Sequence, residues 1–405
     1  MGPEGKKEYL EAIRERYGRV NRRGKKRILD EFCRVCECHR KSAIRVLNGL
    51  RRKRRGRSGP KARYGEEVME VLRTIWLAAE QPCGKRLVGA IGLWLPAYEK
   101  RRRLKKEIRD KLLKLSASTA DRLLKPVRCR MRRKGLGGTR PGSLLKTQIP
   151  IRGESWNEAR PGYLEADTVA HCGTNLSGDF IWSLTFTDIA TGWTENRAVW
   201  NRGAAGVMER IQELEKGLPF KMRGFDCDNG AEFLNHHLWN YFRQRSEPVD
   251  FTRSRPYKKN DQAHVEQKNW THVRQLLGYE RLGRKELVEP INELYRMWGM
   301  LHNYFCPTMK LKMKTREGAK VQRSYEAART PCQRLQDSPE VNARLKARLR
   351  KEFRELDPFE LKGRIETQLR SIFETKRQLG DDQESTIFVS VNWRTPQVAF
   401  GNTLP

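Results

Sequence analysis

Along residues 6–50, apolar positions recur every three or four residues, and the pattern predicts helices over 7–17, 25–35 and 40–50. In the third, RKSAIRVLNGL, Ile44, Leu47 and Leu50 fall near one face while Arg40, Lys41 and Arg45 point elsewhere. That arrangement fits a helix-turn-helix presenting side chains to a DNA major groove, although any small three-helix bundle shares it. The pattern then stops at RRKRRGR, where Arg51, Arg52, Lys53, Arg54, Arg55 and Arg57 run into Ser58-Gly59-Pro60. Packed charge with Gly and Pro forms no core, so this reads as a linker or arm suited to phosphate contact or a minor groove. Helical spacing resumes over 66–79, 85–95, 104–115 and 119–128, with Ser118 as N-cap and Leu123, Leu124 and Val127 as the buried side. This reads as a second helix-turn-helix offering Arg122, Lys125 and Arg128 to DNA. Five glycines and two prolines over 130–153 mark a boundary.

Beyond residue 160 the period shortens from roughly 3.6 to 2. Segments 162–169, 180–187 and 194–199 are short, β-branched or aromatic, and separated by Gly-containing turns, which predicts a three-strand antiparallel meander. A helix (204–216), a strand (221–226), a helix (231–243) and a strand (249–252) follow, then helices over 263–277 and 286–305. Strands followed by alternating helices and strands argue for a mixed α/β layer. After Cys306 a basic turn region, PTMKLKMKTREGAK, leads into two helices. Ser338-Pro339-Glu340 carries the start signature for one, through Leu356, and Asp357-Pro358 starts the next, through about Lys376. Residues 378–405 read as a poorly ordered tail.

Composition narrows the classes. Of 405 residues, 37% are hydrophobic and ten are Trp, too many for a disordered chain and enough for a substantial core. No apolar run approaches ~18 residues and MGPEGKKEYL lacks a signal-peptide core, so a soluble, cytoplasmic, DNA-associated protein is expected. Nine scattered cysteines suit a reducing compartment. Lys and Arg number 83 against 49 acids, a formal charge of +34. Residues 1–150 hold 43 basic residues against 15 acids, 151–305 hold 20 against 21, and 306–405 hold 20 against 13. So steep a partition separates a polyanion-binding front from a chemical module behind it.

Within the near-neutral middle, three acids stand out: Asp167 in YLEADTV, Asp228 in FDCDNGAEF and Glu266 in NDQAHVEQKN. Strand alternation puts Glu165 on the side of Asp167, and Asp226 on that of Asp228. Asp228 sits where a strand gives way to an Asn-Gly turn, and Glu266 opens a helix. Carboxylates from different elements meeting at one sheet end are what two hard divalent cations ~4 Å apart need for phosphoryl transfer.

The series D-T-V-A-H-C-G, D-N-G-A-E-F and S-R-P-Y-K-K-N-D-Q-A-H-V-E-Q-K-N resembles the catalytic core of DDE transposases and retroviral-type integrases. It looks closest to insertion-sequence transposases with an integrase-like core. Sixty residues separate Asp167 from Asp228 and 37 separate Asp228 from Glu266. The resemblance spans residues 162–305 and extends through the stretch PTMKLKMKTREGAK. It implies an RNase H-like α/β core with a mixed sheet flanked by helices, two Mg²⁺ or Mn²⁺ ions, and DNA cleavage and joining without a covalent enzyme intermediate. On that reading Asp167 and Asp228 bridge the metals and Glu266 completes one coordination sphere. Asn229, Asn260, Gln262, Lys268 and Asn269 line the site or hold DNA, although Lys268 reads equally well as a solvated charge. Arg253, Arg255, Lys258 and Lys259 grip target or transposon end. Joining two ends requires a dimer or larger assembly.

Other clusters read as structural. Cys33, Cys36, Cys38 and His39 bunch together where tetrahedral zinc usually takes two separated pairs. His171-Cys172 shapes a turn, Asp188 caps one, and His236-His237 lie on a helix face; His264 is a weaker candidate for DNA contact. No Walker-type phosphate loop is present. The expected organisation is a helix-turn-helix domain (1–50), a basic linker (51–63), a second helix-turn-helix domain (64–130) and a linker (131–160). The catalytic core (161–305) and a basic, mainly helical C-terminal region (306–405) follow. A transposase is the leading expectation, with an inactive DNA-binding regulator and a nuclease that cuts without joining as rivals.

Overall fold

A computed structural model describes residues 3–49, 63–129, 160–228, 230, 232–254, 262–317 and 320–381. The chain divides into two units, Met1–Arg63 and Tyr64–Pro405. The first holds α1 (Pro3–Arg19), α2 (Arg22–Cys36) and α3 (Arg40–Leu47). Asn21 caps α2 by accepting from the Gly24 N–H, and His39 Nδ1 caps α3 by accepting from the Lys41 N–H. Ile13, Tyr17, Ile28, Leu29, Phe32, Cys36, Ala43 and Leu47 form its core. The expected apolar face of α3 is shifted: Ala43 and Leu47 are buried four residues apart, Ile44 is exposed, and Leu50 lies outside the described residues.

The second unit begins with α4 (Glu66–Ala78), α5 (Gly84–Arg101), α6 (Lys106–Leu113) and α7 (Ala117–Cys129). Ser116, not Ser118, caps α7, its Oγ accepting from the Thr119 N–H at 3.2 Å. These helices, expected as a separate DNA-binding domain, share one continuous apolar core with the sheet and most of the helices that follow them. Trp94 Nε1 donates to the Phe305 carbonyl, 211 residues away, at 2.9 Å.

β1 (Tyr163–Ala170), β2 (Ile181–Asp188) and β3 (Thr194–Trp200) form the expected antiparallel meander. α8 (Ala204–Gly217) then leads to β4 (Gly224–Cys227), and α9 (His236–Arg243) leads to β5 (Asp250–Arg253), both strands running parallel to β1. The order β3-β2-β1-β4-β5, with its mixed directions and flanking helices, is consistent with an RNase H-like core. Phe225 centres the core on one side of the sheet, with the rings of Phe186, Phe233, Phe242 and Phe251 around it. α9 starts five residues later than its apolar pattern indicates, because Asn235 accepts from the Leu238 N–H and fixes the first turn there.

α10 (Ala263–Lys268) widens into a π-helical turn (Asn269–Arg274) before α11 (Gln275–Leu277). α12 (Val288–Phe305) lies against the edge strand β3. Asn292 exchanges hydrogen bonds with both backbone groups of Ala198, and Asn303 does the same for Thr194. An edge strand left open is an aggregation hazard, and these two amides close it.

The basic stretch after Cys306, expected as a turn region, forms two strands, β6 (Leu311–Glu317) and β7 (Lys320–Tyr325), paired antiparallel. Its period-2 alternation was masked by the charge. A helix the apolar pattern misses, α13 (Pro331–Asp337), follows, set by a Thr330/Gln333 capping box. α14 (Ala343–Glu355) is capped by Asn342 rather than Ser338, and α15 (Pro358–Gln378) by Asp357 as expected. Beyond residue 381 the tail lies outside the described residues. No helix among the described residues is long and apolar enough to cross a membrane.

Candidate active site

The register of β1 with β4 pairs Ala166 with Cys227. One position further along, Asp167 on β1 and Asp228, the residue just past the end of β4, come near enough for the charge of Asp228 to act on Asp167. Both carboxyls are half-buried and both are pushed toward neutrality. Asp167 rises to about 7, through burial first and the Asp228 charge second, with a smaller push from Glu266. Asp228 rises to about 6, through burial and then the charge of Glu232, against the Gly230 N–H and Arg202. Asp228 Oδ1 accepts from that Gly230 N–H at 2.9 Å, closing the turn.

The helix bearing Glu266 is tied to β1 at two places. The buried Glu165 carboxylate accepts the backbone N–H groups of His264 and Val265, each at 3.1 Å, satisfying donors that a helix start leaves open. Asn269 Nδ2, in the first position of the π turn, donates to Asp167 Oδ2 at 2.5 Å. π turns interrupt helices most often at functional positions, and here the turn aims an amide at a carboxylate. Gln262 is buried against β1, with Nε2 3.4 Å from the Ala166 carbonyl. Glu266 itself is exposed.

Two of the three expected acids are therefore adjacent, and the third projects from a helix anchored beside them. The crowded pair fits a divalent cation, because burial and like charge leave it with negative potential that a cation relieves. Among the described residues, however, no group of three or more His, Cys, Asp or Glu could hold a metal ion, so Asp167, Asp228 and Glu266 do not form a closed ligand set.

Glu232, absent from the sequence-derived set, is the acid that loads Asp228. It is buried, accepts from Thr168 Oγ1 at 3.1 Å, and approaches Arg202 at 3.9 Å. A Cβ on Gly230 would meet its carboxyl carbon at 2.6 Å. Its place in D-N-G-A-E-F was the available signal.

The remaining expected residues scatter. Arg253 is buried at the end of β5 and so belongs to no open basic surface. Lys268 lies roughly 200° around the helix from Glu266. Burial beside Arg86 and Arg334 pushes its ammonium down to about 7, so it is neither a solvated charge nor a neighbour of the acids. Arg40 is paired with Asp30, and Arg128 with Asp121 at 2.5 Å and across the Trp76 ring. Lys41, Arg45, Arg122 and Lys125 are exposed. Arg51, Arg52, Lys53, Arg54, Arg55, Arg57, Asn229, Arg255, Lys258, Lys259 and Asn260 lie outside the described residues.

Among the other clusters, Asp188 is the expected turn cap: buried, it accepts from the Gly162 and Thr191 N–H groups, each at 2.8 Å. His171 is buried against Ser183 Oγ at 2.7 Å, and burial pushes its imidazole down to about 3. Cys36 packs into the three-helix core, while His236 and His237 are exposed at the start of α9.

No protein-family profile matches the chain. Among solved structures it is similar to the catalytic core domain of BIV integrase, at 18% identity and a TM-score of 0.24, over 29% of this chain and 70% of that one. Among curated proteins it is similar to the uncharacterized protein y4rM of Sinorhizobium fredii (strain NBRC 101917 / NGR234), over 81% of this chain and 94% of that one. With 42% identity over 334 residues, the chain belongs to the same family as y4rM.

Proposed function

We propose that this protein is a DNA transposase, binding transposon ends and carrying out metal-dependent cleavage and strand transfer as a dimer or larger assembly. The observation that carries the reading is the carboxylate pair Asp167–Asp228 at adjacent parallel strands, beside the anchored Glu266 helix. Asp167 and Asp228 would hold Mg²⁺ or Mn²⁺ between them, and Glu266, exposed and free to turn inward, would complete the set. A bound cation supplies charge neutralisation at the phosphate and activation of the attacking oxygen. Asn269 orients Asp167 and holds down its proton affinity. Glu165 fixes the start of the helix from which Glu266 projects. The strongly basic residues 1–150 supply the affinity for DNA.

A second reading, a DNA-binding regulator with an inactive core, is favoured by one observation: among the described residues no group of three or more His, Cys, Asp or Glu could hold a metal ion. Supercoiled donor DNA incubated with the full chain and Mg²⁺ separates these readings. Joined products support the transposase, nicks alone make it a nuclease, and bound but intact DNA makes it the regulator. Asp228→Asn is expected to abolish cutting and joining while leaving binding intact; retained cleavage would reject the assignment.

A further inference from the structure

Arg202 lies in the short link between β3 and α8, beside the acids of the site. Its Nη1 is 3.9 Å from Glu232 Oε2, and its charge opposes the burial and the Glu232 charge that raise the Asp228 carboxyl. The Arg202 side chain is 55% exposed, against 2% for that of Glu232. Its backbone is fixed by its neighbour. Asn201 adopts the left-handed conformation at φ +56°, which Asn tolerates better than most residues. The Asn201 N–H donates to the Phe180 carbonyl at 3.1 Å, and Asn201 Oδ1 accepts from the Phe180 N–H at 3.2 Å. Asn201 Nδ2 donates to Asp179 Oδ1 at 3.0 Å. With the link held so, the guanidinium carbon of Arg202 sits 4.8 Å from the centre of the Trp182 ring, which stacks in turn on Phe180.

A structural ion pair explains little of this arrangement. At 3.9 Å the contact is beyond hydrogen-bond reach, Glu232 already accepts from Thr168, and pairs with so exposed a partner contribute little. Among the described residues the Arg202 guanidinium donates no hydrogen bond, so its donors stay open while ring and backbone hold it in place. A planar fork of free N–H groups stacked on a ring matches a phosphate bidentately and loses little freedom in binding it. DNA brought to Asp167 and Asp228 carries its phosphates into negative potential, and a cation fixed beside those acids offsets the repulsion.

We infer that Arg202 is a substrate-binding residue that grips a phosphate of the DNA strand lying across the Asp167–Asp228 pair. The inference rests on the proposed nucleic-acid chemistry of that site and adds the group that holds the strand there.

The test follows Mg²⁺-dependent nicking of supercoiled plasmid DNA by full-length chains over a series of KCl concentrations and pH values. Arg202→Gln is expected to lower kcat/KM about ten- to hundredfold at every pH, the scale of lost charge-assisted hydrogen bonds. It is also expected to flatten the slope of log kcat/KM against log salt by about 0.9, the signature of one phosphate contact. Arg202→Lys, which keeps the charge without the fork, recovers that slope and part of the rate. Arg344→Gln, removing an exposed cation of α14, keeps both slope and rate. All three variants are expected to melt as the parent does. A lowered melting temperature with the parent slope overturns the inference, because Arg202 then serves only as the partner of Glu232. So does a loss that disappears at high pH as the ascending limb moves up, because Arg202 then acts only through the charge on Asp228. A parent chain that binds the plasmid without nicking it rejects the catalytic reading itself, a different outcome from an active parent indifferent to Arg202.

Discussion

The carboxylate of Glu165, in the middle of β1, accepts the backbone N–H of Val265 at 3.1 Å, one residue before Glu266. A strand acid thereby serves as the cap of a helix a hundred residues away. Glu165→Ala leaves two donors open in a buried position, and charge-assisted bonds of this kind are worth about 1.5–3 kcal/mol. The variant is expected to lose stability on that scale in urea unfolding and to lose amide-exchange protection first at His264 and Val265. Unchanged protection at those two amides would show that Glu165 does not hold the helix.

Asn269 lowers the proton affinity of Asp167 by donating to it. Asn269→Ala removes that bond, so the Asp167 pKa rises further and the ascending limb of the pH–activity profile moves to higher pH. A fall in rate with the limb unmoved would assign Asn269 a packing role only.

The raised carboxyls also make stability depend on pH. Asp167 holds its proton up to about 7 when folded, against 3.8 as its ordinary value, and Asp228 up to about 6. Between these values the unfolded chain has released protons that the folded chain retains, so folding stability falls as pH rises through roughly 4 to 7. The full penalty is present above the folded values and absent below the ordinary one. Asp167→Asn and Asp228→Asn are therefore expected to raise the melting temperature at pH 8 in EDTA and to have little effect at pH 4. Mg²⁺ is expected to stabilise the parent most at pH 8; a larger gain at low pH would contradict the pairing.

Gly162 leads into β1 at φ +118°, and a Cβ there would meet the Lys221 carbonyl at 2.3 Å. Gly162→Ala is expected to destabilise the second unit by about 1–3 kcal/mol, from strain and overpacking together. Gly363, inside α15 with open space around it, behaves oppositely: Gly363→Ala is expected to stabilise by about 0.5–1 kcal/mol. Equal effects in thermal melts would remove the steric argument.

Periodicity alone gave the elements whose own side chains decide them: the first three helices, the β1–β3 meander, and α15 with its Asp-Pro start. The spacing of Asp167, Asp228 and Glu266 picked out the acids, and the strand register brings the first two together. What periodicity could not carry was contact between distant segments. Asn292 and Asn303 carry no signal in the apolar pattern of their helix, and their roles come only from the β3 backbone lying against them. Glu232 reads as one more residue of the helix expected over 231–243 until Thr168 and Asp228 are found beside it, and Arg253 and Lys268 read as surface cations until packing covers them. The front helices 64–129 joined the sheet's core because Trp94 found Phe305. A sequence window records which face of an element is apolar; only the folded chain decides what that face, and each polar group upon it, meets.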